Sequence, residues 1–133
     1  MRVLSAVFAA AMWLPATPAA SKSIDSRESL IEAKLALVSA AQAVRSARLD
    51  WQAAHELFLK AQSSVEVAEL NRETEERLTP ATSHTLSSAK EDWTRALRSL
   101  EATASRLGRA EHHLRAAEDV LNRTQLAQSN ASR

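Results

Sequence analysis

Residues 30–68 read LIEAKLALVSAAQAVRSARLDWQAAHELFLKAQSSVEVA, and two interleaved repeats of seven run through them. Leu30, Leu37, Val44, Trp51, Phe58 and Val65 mark the first. Three residues after each comes an alanine: Ala33, Ala40, Ala47, Ala54, Ala61 and Ala68. The pattern returns further on with Leu86, Trp93, Leu100, Leu107, Leu114 and Leu121, followed at the same spacing by Ala89, Ala96, Thr103, Ala110, Ala117 and Thr124. A seven-residue apolar repeat held over so many turns specifies long helices that wind around a partner, with large and small side chains sharing one seam.

The partner of each stretch is the other. Facing residues of an antiparallel pair have a constant sum of residue numbers, and a sum of 154 sets every large seam residue opposite a small one. Leu30 meets Thr124, Trp51 meets Thr103, Phe58 meets Ala96 and Ala61 meets Trp93. Constant volume from layer to layer is what close-packed interiors require. The same sum places the turn at residue 77, just before Thr79-Pro80, a cap residue followed by a proline suited to the first helical position. The expected fold is therefore all-α: a long antiparallel two-helix coiled-coil hairpin with an Ala-rich heptad seam, able to pair further into a helical bundle. Lys34 with Glu118 and Asp50 with Arg106 are expected across the seam edges. Glu56–Lys60, Glu91–Arg95 and Glu111–Arg115 are spaced for pairing within an arm.

Composition agrees with this fold. One glycine, three prolines and no cysteine in 133 residues suit helices, and leave no disulfide framework or thiolate chemistry. Seventeen basic and sixteen acidic side chains nearly cancel, which argues against nucleic acid or a strongly anionic membrane as the main partner.

The chain opens with Arg2, an uncharged apolar run from Val3 to Leu14, Pro15, and the small residues of Thr17-Pro18-Ala19. That is the layout of a secretory signal peptide over 1–19, and a linker is expected over 20–25. Asp25 with Glu28 resembles a capping box, so the first helix is expected over 26–78. The second is expected over 79–128, with the turn near 76–80 and a disordered tail over 129–133. The protein would then be secreted, displayed at the cell surface or periplasmic.

Chemistry-bearing residues form no catalytic or metal-binding constellation. His112 and His113 are adjacent and point about 100° apart on a helix, so they cannot grip one metal from one face. His55 and His84 have no ligand partners at helical spacing, and all four read as exposed polar groups. The serines fall at caps, ends and solvent faces, and a two-helix rod offers no enclosed pocket. No enzyme activity and no cofactor is expected. Trp51 and Trp93 keep the repeat and read as seam, with Trp51 in reach of Thr103 for a hydrogen bond. Asn130, in the Asn-Ala-Ser triplet of the tail, is the candidate glycosylation site in a eukaryotic secretory pathway. Asn122, on a helix, is a poorer acceptor. Gly108 sits mid-arm, where it marks a hinge, a close contact or drift.

The apolar side chains left outside the seam are unevenly placed. The first arm carries Ile31, Leu35, Val38, Leu49, Leu57, Leu59, Val67 and Leu70, and the second only Leu97, Val120 and Leu126. Exposed apolar surface of this extent marks a partner or oligomer interface. The functional expectation is an exported, non-enzymatic coiled-coil scaffold or protein-interaction module acting through self-association or a protein partner, with those eight residues as its interface. Two alternatives stand beside it. One is reversible binding to a lipid surface, with peripheral membrane contact. The other is a periplasmic chaperone-like role.

Overall fold

The computed structural model describes residues 18–74 and 80–133, with side-chain burial over 24–74 and 81–133. Two helices make up the fold: α1, Pro18–Thr74, of 57 residues, and α2, Pro80–Ala131, of 52 residues. They pack against each other along their length as an antiparallel hairpin. The signal peptide expected over 1–19 and the turn expected near 76–80 fall mainly outside the described residues.

Four contacts between the helices show the direction and register. Gln128 Nε2 donates to the Ser26 carbonyl, the Arg48 guanidinium lies 3.7 Å from Glu111, the Phe58 and Trp93 rings are 6.2 Å apart, and Lys90 Nζ lies 3.3 Å from Glu69. As the α1 number rises, its α2 partner falls. The pair at the open end, Ser26 and Gln128, sums to the expected 154.

Burial follows the seven-fold repeat. Every seam residue from Leu30 to Ala68 and from Leu86 to Thr124 is buried or half-buried except Trp93, which is 36% exposed. The repeat also runs one step beyond the expected seam, through half-buried Ser26, Thr82 and Gln128. Those steps are polar, so an apolar count alone does not find them. The deeply buried positions are Ala33, Val44, Ala54, Ala68, Leu86 and Thr103, mostly small residues. Two helices can enclose a small side chain between them, while a large one always has an edge toward water. No large side chain among the described residues is fully buried.

Threonine stands in for alanine at two seam positions because its hydroxyl is satisfied locally. Thr103 donates to the carbonyls of Ser99 and Leu100, both at 3.0 Å, and Thr124 to that of Val120 at 2.8 Å. Each hydroxyl folds back on its own helix and brings no unpaired donor to the seam. The expected bond from Trp51 to Thr103 is not among the hydrogen bonds of the described residues; the Trp51 ring stacks on His55, with centroids 5.2 Å apart and planes at 17°.

The helix ends differ from expectation. The first helix starts at Pro18, eight residues before 26, so Asp25 and Glu28 lie within its body and not at its cap. A capping box stops a helix only where the preceding residues resist helical geometry, and Ala19 to Ile24 do not resist it. The second helix runs to Ala131, three residues past 128, and Ser132 N closes the last turn on the Gln128 carbonyl at 3.2 Å. The expected tail is thereby reduced to Ser132 and Arg133.

The edge charges also pair differently. Within ion-pair distance the described residues join Arg48 to Glu111, Lys90 to Glu69, and Arg95 to Asp92; none of the five expected pairs forms. Both cross-helix pairs sum to 159, and Lys34–Glu118 sums to 152. Helical side chains lean toward their own N-terminus. In an antiparallel pair, residues displaced beyond the common level lean together, and residues short of it lean apart.

Candidate functional site

With Leu30 as position a and Ala33 as position d of a heptad, Ile31 and Val38 fall at b and Leu35 at f. Positions b and f are neighbours on the helix surface and lie roughly opposite the a/d seam. Six of the eight expected interface residues occupy them: Ile31, Leu35, Val38, Leu49, Leu59 and Leu70. All six are exposed, Leu35 the most at 64%. They form one stripe along the outer face of α1. Five polar or charged positions, Glu28, Gln42, Arg45, Gln52 and Glu56, interrupt it, and Ser63 and Glu66 do so again toward the C-terminal end.

The other two expected residues do not belong to this stripe. Leu57 and Val67 are exposed, at 59% and 56%, but occupy positions g and c on the remaining flank of α1. One residue was missed. Ile24, 56% exposed, begins the stripe one heptad before Ile31. The spacing Ile24–Ile31–Val38 carries that signal, and assigning 20–25 to a linker hid it.

The second helix has no counterpart. Val120 and Leu126 are exposed on separate faces, and Leu97 is half-buried at the seam edge. Apolar residues are thus spread around α1, while in α2 they gather on the side facing α1, giving it the more amphipathic profile.

Beside the aromatic seam residues the rod carries a largely apolar concavity. A groove of about 540 Å³, open along one side, is lined by Phe58, Val65 and Trp93, with Glu66, Glu69 and Lys90 at its rim. It arises because the seam's large aromatics Phe58 and Trp93 sit in adjacent layers, their rings tilted 39° to each other, and neither can bury fully against a helix of alanines. The order Phe58/Ala96 then Ala61/Trp93 in the expected layers is the signal that locates it.

The remaining candidates are dispersed. His112 and His113 stand edge to face with ring centroids 6.2 Å apart, both exposed, and no group of three or more His, Asp or Glu among the described residues is placed to hold a metal ion. Asn130 is exposed but lies in the last turn of α2, not in a free tail. Gly108 has ordinary helical geometry, and a Cβ built on it meets nothing within 4 Å, so neither a turn nor a close contact requires glycine there. No helix among the described residues is long and apolar enough to cross a membrane.

The outer stripe of α1 is accordingly the most extensive apolar feature without a partner on this surface, and the groove beside Trp93 is second. No protein family, characterised protein or solved structure matches the chain.

Proposed function

We propose that the chain is an exported, non-enzymatic helical hairpin that acts as a scaffold or protein-interaction module, with the outer face of α1 as its contact surface. One observation supports this most directly: Ile24, Ile31, Leu35 and Val38 are each more than half exposed on a helix whose opposite side already has its partner. An exposed apolar stripe of this kind is a liability in water unless something covers it. The side chains stand on a rigid helix held by a six-heptad seam, so their spacing is preset and little ordering is needed on contact. Export rests on the layout of residues 1–19, and N-terminal sequencing of the protein from its native cell tests it.

The contact face is tested by comparing the native chain with Ile31→Gln/Leu35→Gln/Val38→Gln by crosslinking in the cell of origin. Loss of the crosslinked species in the variant, with helicity unchanged, is the expected result. A variant that keeps every crosslinked species removes the outer face from the proposal. Flotation with liposomes, with and without anionic lipid, separates this reading from a lipid-surface role. Arg45, Glu56 and Glu66 interrupting the stripe favour a protein partner, whose side chains can match charges position by position.

A further inference from the structure

We infer that the partner of the outer α1 stripe is the same stripe on a second copy of the chain, and that the two helices lie antiparallel about residue 47. The inference rests on the reading of α1 as the contact face. Positions b and f repeat at alternating steps of four and three residues, the spacing of a second seam. In an antiparallel pair each b residue faces an f residue, which restricts the sum of residue numbers to values seven apart. The sum of 94 lies closest to the middle of Pro18–Thr74 and overlaps nearly the whole helix.

At that register Ile24 faces Leu70 of the second copy, and Leu35 faces Leu59. Two-fold symmetry repeats each contact, giving four apolar layers. Gln42 faces Gln52 between them, an amide pair able to hydrogen-bond in both directions. Half-exposed Ile and Leu side chains each offer on the order of 100 Å², so the seven stripe residues of two copies offer about 1,400 Å², within the range of stable interfaces.

Charge along the helix selects the antiparallel arrangement. The N-terminal half of the face carries Arg27 and Lys34 beside the stripe, and the C-terminal half carries Glu66 and Glu69. Antiparallel pairing places Arg27 beside Glu69 of the second copy, two residues past the common level, on the same side of it as the cross-helix pairs of the hairpin, which lie five past. It also brings Lys34 within reach of Glu66. Parallel pairing would stack Glu56 on Glu56, Glu66 on Glu66 and Arg45 on Arg45. The remaining layers are mixed: Ile31 faces Ser63, Val38 faces Glu56 and Leu49 faces Arg45, and Glu28 faces Glu66. The last sets like charges together, so Glu28→Gln should tighten the dimer several-fold.

The test uses the full chain, which has no native cysteine. Sedimentation equilibrium should show a concentration-dependent dimer. Leu35→Cys/Leu59→Cys should oxidise to a covalent dimer on a non-reducing gel, because those positions are about 36 Å apart along one helix and cannot close within a chain. Leu35→Cys alone should not link. Arg27→Glu should raise the dimer dissociation constant about tenfold, and adding Glu69→Arg should restore it, with thermal melts showing that each hairpin folds. A dimer linked by Leu35→Cys alone, or one indifferent to Arg27→Glu, overturns the register and leaves self-association standing. A chain that stays monomeric at every concentration overturns the inference entirely. The crosslinking in the cell of origin then judges the contact face separately.

Discussion

The two helices of this hairpin share a seam and little else. Both repeat large and small residues every seven positions, and both are buried along that line. Away from it, α2 is mostly polar, with scattered Val120 and Leu126, while α1 carries a second apolar line on its far side. The seam needed two helices with complementary volumes, and α2 meets that need with only Val120 and Leu126 exposed outside it, on separate faces. The excess on α1 serves no layer within the hairpin. Two valines on α1 reduce the contrast to a single side-chain type: Val44 is 8% exposed and Val38 is 55% exposed.

The strongest way to break the comparison is through the seam. Trp51→Ala removes the largest side chain of its layer and should destabilise the hairpin by about 3 kcal/mol in a denaturant melt. Adding Thr103→Leu should recover part of that loss, since both positions share one layer at the sum of 154. Simple additivity of the two changes would show that the register is misplaced. The valines provide the next effect. Val44→Ala should cost about 2 kcal/mol, while Val38→Ala should change hairpin stability by less than about 0.5 kcal/mol. If the two cost the same in the monomer, the division between inner and outer faces of α1 is wrong. A smaller effect of opposite sign sharpens the view of α2. Gly108→Ala should stabilise by roughly 1 kcal/mol, because α2 is helical through this position and nothing occupies the space a methyl group would take. Destabilisation at this site would reveal a contact beyond the hairpin.

The seam was legible because volume and period are written directly in residue types. Each of the twelve large residues announces its own position, and pairing them needed only one arithmetic condition. Features that depend on direction were harder to read. The ion pairs moved from the expected Lys34–Glu118 spacing to Arg48–Glu111 and Glu69–Lys90 because side chains lean along the helix, which a count of levels ignores. The start of α1 was obscured by a local signal: Asp25 and Glu28 resemble a cap, but only the residues before them determine whether a helix must end there. That error removed Ile24 from the outer face. The groove beside Trp93 was missed for a related reason. Matching layers one at a time does not show that Phe58 and Trp93, each acceptable alone, crowd each other across neighbouring layers.

The bond between Gln128 and Ser26 has a further consequence for reach. It holds the beginning of one helix and the end of the other at the same end of the rod. The opposite end, where Thr74 and Pro80 lie, is then about 70–75 Å away at 1.5 Å of rise per residue. Anything attached near Ser26 carries the other end as a mast of set height, and the outer α1 stripe becomes a line of contact points at graded distances from the attachment.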